Sequence, residues 1–242
     1  MKSLGLDEAG RSPIIGSISI GGVIAEDTDN IDAKDSKKCT QKELKDKFKE
    51  IKQSYSIYNE KITPTEIDTN LPERSNSSYN FNLNDLEVYY MLKIIKKSKP
   101  DKIFIDNMDK NRDSFFDRVR KIIRYSSLDL NIKDYTWKIK HELDENSNLV
   151  GAASIVAKHF RDKEIENLKA DGELVGSGQV SDPTTQKYVF EHLNDNKETI
   201  RYSWKTIRRF DNNKVCSKCG SEIVLKWGNK YKCSNCRNKM NG

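Results

Sequence analysis

Nowhere does this sequence offer the run of about 18 apolar residues that a membrane span requires. Its opening residues, MKSLGLDEAG, lack the charged-then-apolar profile of a secretory signal. Cysteine is scarce, with five residues, four of them in two CxxC pairs near the C-terminus and Cys39 alone. That arithmetic is poor for a secreted disulfide framework and suits reduced thiols or bound zinc. Histidine is scarcer still: His141, His159 and His192 stand at no ligand spacing, and no serine or cysteine nucleophile set accompanies them. Internal repeats are absent, and low complexity is confined to the polar stretch from Arg74 to Asn80. These absences predict a soluble, cytoplasmic protein without a membrane partner, whose chemistry does not run through a covalent Ser or Cys intermediate; a monomer is expected.

What the chain has in quantity is charge, unevenly spread. From Arg201 to Gly242 there are 11 Lys+Arg against 2 Asp+Glu, a net +9; residues 1–200 hold the remaining 32 against 35, a net −3. A positive tail beside an acid-rich body suits a polyanionic partner, held by the tail and handled through metal ions at the body's carboxylates. At 242 residues the chain is long enough to bury one sizeable core and carry a small appendage.

Leu4 to Leu6 and Ile14 to Ala25 read as two strands joined by a tight turn, with Asp7 and Glu8 where the first ends. QKELKDKFKEIK puts Leu44, Phe48 and Ile51 at helical spacing behind Thr40 and Glu43, a capping box. Tyr55 to Ile62 alternates as a strand, Asn84 to Lys97 reads as a helix, and Lys102 to Asp106 is a buried strand delivering an acid to a sheet edge. A helix follows through Phe115, Val119, Ile122 and Ile123, then a strand between Ile132 and Ile139. Val150 to Leu168 forms a long helix that opens on small residues able to approach a neighbouring backbone closely. Gly172 to Pro183 is a loop and Thr184 to Leu193 a last helix. Interleaved strands and helices predict an α/β or α+β fold.

Hydrolysis of a phosphodiester needs an activated water and charge neutralisation on two oxygens, work that clustered carboxylates do through a pair of Mg²⁺ or Mn²⁺ ions. Asp7 and Asp106 are acids at strand ends, and Asp144 precedes the long helix, with Asn146 or Ser147 available as N-cap. Glu8 can join Asp7 in one site only if the chain is already turning toward Gly10, because neighbours on a straight strand face opposite ways.

The wording around these acids narrows the reading. Asp7-Glu8-Ala9-Gly10-Arg11-Ser12-Pro13, Asp35-Ser36-Lys37-Lys38, Ile105-Asp106, Gly151-Ala152-Ala153-Ser154-Ile155-Val156-Ala157-Lys158, Gly176-Ser177-Gly178 with Ser181-Asp182-Pro183, and Ser203-Trp204-Lys205-Thr206 follow one another in the chain. In that order they resemble the landmarks of type 2 ribonuclease H, particularly its archaeal form. Asn82-Leu83-Asn84-Asp85-Leu86-Glu87 is similar too, so the likeness covers roughly residues 1–210. It implies a ribonuclease H-like mixed sheet flanked by helices, and an endonuclease acting on RNA–DNA hybrids and on DNA containing ribonucleotides. It also implies metal binding by Asp7, Glu8, Asp106 and Asp144. The fourth acid rests on ungapped alignment back from Ala152-Ala153-Ser154, with Glu142 and Glu145 as near misses. Gly10, Arg11 and the residue at Ser12 correspond to the turn that approaches the ribose 2′-hydroxyl, while Lys37 and Ser154 correspond to phosphate contacts.

Two positions depart from the pattern. Ser12 stands where the family has a glycine, and Gln179 where it has a tyrosine that stacks on the sugar past the RNA–DNA junction. Glutamine cannot stack as a ring does, so incision at a single embedded ribonucleotide is expected to be weakened relative to continuous hybrid.

The C-terminal module is legible by itself. Cys216-Ser-Lys-Cys219 and Cys233-Ser-Asn-Cys236 let two knuckles converge on one tetrahedral Zn²⁺, with a hairpin at Trp227-Gly228-Asn229. The expected division is a catalytic domain over residues 1–210 and a structural zinc ribbon over 211–242, too small to fold without its metal. Its lysines, with Trp227 and Tyr231, predict a nucleic-acid tether, the rival being a protein-docking ribbon. Two other functions compete with the nuclease: a nucleic-acid-binding protein with little catalysis, suggested by Ser12 and Gln179, and a transcription-associated zinc-ribbon factor, which accounts for only the last ~30 residues.

Overall fold

The computed structural model describes residues 1–26, 31, 33, 39–70, 79, 81–106, 108–141, 143–195, 197–210 and 214–241; the side chains of Asp144, Glu145, Trp227 and Asn241 are not described. Lys37 therefore lies outside the described residues. In chain order the elements are β1 (Ser3–Ala9), β2 (Ile18–Ala25), α1 (Gln41–Ser54), β3 (Ser56–Ile62), α2 (Pro64–Thr69), α3 (Leu83–Ser98), β4 (Lys102–Asp106), α4 (Arg112–Tyr125), β5 (Thr136–Lys140), α5 (Leu143–Asn146), α6 (Asn148–Ala170), α7 (Pro183–Glu191), β6 (Val224–Trp227), β7 (Lys230–Cys233) and β8 (Lys239–Asn241). They fall into two compact units: Met1–Arg11, Ile18–Ile62 and Thr69–Asp162 form the first, and Ser12–Ser17, Thr63–Asp68 and Lys163–Gly242 the second.

The first unit is built on a five-stranded sheet of order β3-β2-β1-β4-β5. β2 runs antiparallel to both β1 and β3, whereas β4 and β5 continue parallel to β1. Leu4 and Leu6 point to one face, where an added Cβ on Gly22 would meet both of them and Ile94 of α3. Gly5 and Asp7 point to the other, with Phe104 paired to Gly5 and Gly21 paired to Asp7. On that second face α6 lies almost against the strands. A Cβ on Gly5 would sit 2.4 Å from the Leu149 carbonyl oxygen, and one on Gly21 2.3 Å from the Ala153 oxygen and 2.6 Å from the Ala157 nitrogen. The small residues of α6 thus do what their size suggests: Ala152, Ala153 and Ala157 are fully buried and Gly151 is buried with them. Leu44, Phe48 and Ile51 of α1 complete this core with Leu149, Val150 and Val156, and half-buried Cys39 packs at its edge.

Local signals explain the helix starts. Thr40 and Glu43 form the expected capping box on α1, and Asn82 and Asp85 form another on α3. Asp85 is fully buried and takes an ion pair from Arg118 of α4, which also holds Asp109 at 2.6 Å, so one guanidinium fastens α4 to α3. The helix α2 was missed in the sequence although Thr63-Pro64-Thr65-Glu66 carries both of its marks, a capping box bonded at 2.8 and 3.2 Å and a proline in the first turn.

Two expectations need correction. The run from Ile14 to Ala25 is not one strand: β2 begins at Ile18, and Ile14 to Ser17 belongs to the second unit. There the Ile14 N–H donates to the Gly178 oxygen (2.9 Å), the Gly16 N–H to the Thr199 oxygen (2.8 Å), and Ile15 bridges Ile200. Pro13 has no N–H to give a ladder, and Gly16 turns the chain at a φ of +83°. The strand placed between Ile132 and Ile139 opens as a 3₁₀ turn over Ile132–Asp134 and becomes extended only in β5. Asp144 precedes the long helix as expected, with Ser147 directly before its first residue, and itself lies inside the one-turn α5.

The second unit has its own core of Ile14, Ile15, Ile165, Val175, Tyr188, Val189, Ile200 and Ile207. Asp68 fixes the Ser203-Trp204 landmark by accepting from the backbone N–H groups of Tyr202 (2.8 Å) and Ser203 (2.9 Å). Arg201, wholly buried, donates from Nε to the Gly16 oxygen at 2.7 Å.

Because backbone atoms cannot yield to a new methyl group, Gly21→Ala is expected to cost about 3 kcal/mol or more of stability. Urea unfolding of the variant checks this, with Gly172→Ala, whose Cβ meets nothing within 4 Å, as the comparison for a glycine of positive φ in open space.

Candidate active site and metal centre

The register Leu6↔Ile105 sets Asp7, two residues before the end of β1, level with Asp106, the last residue of the adjacent parallel strand β4, and both belong to the face covered by α6. Asp7 is buried and Asp106 half-buried. The Leu143 N–H donates to Asp106 Oδ1 at 3.0 Å, so the Asp106 carboxylate caps α5 and holds the backbone of Asp144, the next residue, close by. Pairing with β2 persists through Ala9, and the chain turns only at Gly10, whose φ is +91°. The expected early turn at Glu8 is therefore absent. Glu8 nonetheless joins the cluster: it shares a hydrogen bond with the Asp7 side chain. Burial pushes its carboxyl above the ordinary 4.5, the nearby Arg11 guanidinium opposes that, and the Asp106 charge adds to it.

Arg11 is held from behind. Its Nη1 donates to Glu87 Oε2 at 2.6 Å and its Nη2 to Asn84 Oδ1, with Glu87 fully buried and Arg11 41% exposed. Sequence reasoning had noted the Asn84 to Glu87 segment without a role for it; a buried glutamate on a helix flank was the available signal, since such a group needs a cation. Ser154 stands seventh in α6, past the first turn whose N–H groups are unbonded, so its half-buried hydroxyl and not the helix end is what it presents. Ser12 and Gln179 belong to the second unit, exposed and half-buried respectively. The Ile14 to Gly178 bond brings their two segments alongside each other. The loop before Gln179 is rigidly built: Gly176 and Gly178 have φ of +64° and +77°, and Asp182 accepts from the Ser177 N–H at 2.6 Å. His159 stacks on Phe48 with centroids 3.5 Å apart and His192 bonds Asp195, both packing roles.

The cysteines converge as their spacing predicts. Cys216 and Cys236 sulfurs are 3.6 Å apart, as are those of Cys219 and Cys233, and all four lie within 4.8 Å of one another. A disulfide would bring two sulfurs to about 2.05 Å. Four thiolates at about 2.3 Å from one tetrahedral ion have edges of roughly 3.8 Å, so the quartet fits zinc. Although burial disfavours its thiolate, the backbone N–H groups of Lys218 and Cys219 and the neighbouring thiols bring Cys216 down to about 6. The Asn238 N–H favours the Cys236 thiolate, but burial and the surrounding thiols outweigh it and push that group up to about 12. One cation would replace these protons together. Among the described residues this is the only set of three or more ligand atoms already drawn within reach of one ion. The acids fit divalent metal through their chemistry: hard oxygen donors, one of them raised by burial beside two others.

A five-stranded mixed sheet with acids at the ends of its two central parallel strands defines a class of α/β proteins in which carboxylates are gathered at a sheet edge. A family profile for Ribonuclease HII matches residues 4–207. Ribonuclease HII of Methanosphaera stadtmanae is 35% identical over 213 residues, spanning 84% of this chain and 92% of the relative. The crystal structure of ribonuclease H2 from Pyrococcus horikoshii superposes with a TM-score of 0.70 at 30% identity, covering 86% of this chain and 96% of that one. The PCNA:RNase HII complex structure from Archaeoglobus fulgidus gives a TM-score of 0.68 at 29% identity, covering 85% and 96%. This chain belongs to the ribonuclease HII family, which are metal-dependent endoribonucleases. Residues 208–242, with the cysteine quartet, lie outside the matched stretch.

Two measurements follow from the charges. Since the folded Glu8 carboxyl is raised, the metal-free fold binds more protons than the unfolded chain, and its stability falls as pH climbs from 4.5 through the raised value. Thermal midpoints of the metal-free protein should show that fall, and Glu8→Gln should flatten it. A dye assay on the purified chain should find one zinc, released by any single Cys→Ser change among the four and retained in Cys39→Ser.

Proposed function

We propose that the chain hydrolyses the RNA strand of RNA–DNA hybrids as an endonuclease, with Mg²⁺ or Mn²⁺ held by Asp7, Glu8, Asp106 and Asp144. The observation that carries the assignment is the register that sets Asp7 level with Asp106 on adjacent parallel strands, together with the Asp106 cap that keeps the Asp144 backbone close to Asp106. The family supports the same chemistry. When bound there, divalent ions supply an activated water and neutralise charge on the leaving oxygen. The protein's own groups do the rest. Asp7 and Glu8 would give carboxylate oxygens to that metal. Arg11, oriented by Glu87 and Asn84, offers a fixed cation to a phosphate, and Gly10 lets the backbone beside it approach a ribose. Lys37 and the Ser154 hydroxyl are assigned to the substrate backbone. The body, residues 1–210, and a Zn²⁺-held ribbon, 211–242, act as two parts of a monomer in the cytoplasm; none of the described helices is long and apolar enough to cross a membrane.

Metal-supplemented cleavage of a labelled hybrid tests this. Asp7→Asn is expected to lower the rate by about 1,000-fold or more; no metal-dependent, Asp7-dependent cutting would leave a nucleic-acid-binding protein without catalysis. Ser12 and Gln179 bear on DNA containing ribonucleotides. Initial rates should be lower on a single embedded ribonucleotide than on continuous hybrid, and Gln179→Tyr should raise the former about tenfold, the contribution of one stacked ring. Equal wild-type rates on the two substrates would remove Gln179 from junction reading.

A further inference from the structure

The ribbon has two unlike faces. Across β6 and β7, Val224 pairs with Cys233 and Lys226 with Tyr231, so Val224, Tyr231 and Cys233 share the side of the sulfur cluster. Strand alternation sends Lys230 and Lys232 to the opposite side. There Lys232 is paired directly with Lys239 of β8. All three lysines are exposed, and among the described residues none has an ion-pair partner. With Tyr231 they line a cavity of about 280 Å³. Between Lys214 and Gly242 there are seven Lys and Arg residues and one acid, Glu222.

Like charges directly opposite on a sheet destabilise it. A module that depends on a metal for its fold has little stability to spare, so the opposition of Lys232 and Lys239 needs a counterpart. A second feature points the same way. The two knuckles are built alike: the Cys216 N–H donates to the Ser221 oxygen at 2.8 Å, and the Cys233 N–H to the Asn238 oxygen at 2.9 Å. The residue after each second cysteine is left-handed, Gly220 with φ +69° in one and Arg237 with φ +59° in the other. Glycine adopts that conformation freely; arginine does so at a cost of roughly 1 kcal/mol. The ribbon thus keeps an exposed cation, two residues before Lys239, at a position its own repeat fills with glycine.

We propose that this face, Lys230, Lys232 and Lys239 with Arg237 at its margin, grips the phosphodiester backbone of the duplex the enzyme cuts, as a sequence-independent clamp. The polyanion's identity rests on the reading of the chain as a hybrid nuclease; the cationic face does not. Lysines spaced on a rigid sheet are point charges suited to phosphates and carry no means of reading bases. Each phosphate they neutralise releases counterions, so binding acquires a steep salt dependence.

The test uses the full zinc-loaded chain and a fluorescent RNA–DNA hybrid, with dissociation constants measured over a salt series without added Mg²⁺ or Mn²⁺. Replacing Lys230, Lys232 and Lys239 together by Ala should lower the slope of log Kd against log salt by about 2 to 3. An equal loss of charge on α1, through Lys42→Ala, Lys47→Ala and Lys49→Ala, should move the slope far less. Arg237→Gly relieves backbone strain, so it keeps the zinc and the fold while lowering the slope by about 1. A slope unmoved by both the triple change and Arg237→Gly overturns the clamp and assigns the face to a protein partner. A wild-type chain that binds with this slope but does not cut overturns the nuclease and leaves the clamp standing.

Discussion

Everything in the first unit depends on how closely the backbone of α6 lies against the sheet. At Gly5 and Gly21 there is no room for a methyl group, because the atoms facing them are the helix's own backbone. That approach has two consequences. It buries Leu149, Val150, Ala153 and Val156 in the core around Phe104 and Val23, each large aliphatic side chain contributing roughly 1.5–3 kcal/mol. It also fixes the height of a helix over the face that carries Asp7 and Asp106, so the floor and the roof of the acid cluster are positioned by the same contact. A larger residue at Gly21 would disturb the neighbourhood of Asp7 before it disturbed anything else, since the two are cross-strand partners.

The acids themselves are held by different means. Asp7 is placed by strand register, Glu8 by its bond with Asp7, and Asp106 by register and by its cap on α5. Arg11 depends on a glutamate buried in α3. The site is therefore a meeting of three supports, the central strands, the α3 flank and the α5 turn, and it is their agreement that makes carboxylates of like charge tolerable so close together before a metal arrives.

Much of this was legible in the sequence because it rests on short-range signals. Capping boxes, a compact apolar run and CxxC spacing announce α1, β4 and the ribbon, and the landmark wording singled out Asp7, Glu8 and Asp106. What was not legible depends on partners distant in the chain. Ile14 and Ile15 looked like the start of β2 because an apolar run carries no mark of which core it enters; Gly178, Thr199 and Ile200 decide that. Asp68 and Glu164 gave no sign that they bind the backbone at Tyr202 and the Ser17 hydroxyl, as each is one acid among many. The helix α2 is a different case, announced by Thr63 to Glu66 and passed over. β8 is three residues of mixed polarity, visible only once β7 exists to pair with it.

The cap on α5 bears on how Asp106 would meet a metal. Its Oδ1 already accepts the Leu143 N–H, so backbone orients the carboxylate before any cation arrives. A helix of a single turn thus acts as a jig, setting the angle of a charged side chain without itself touching an ion.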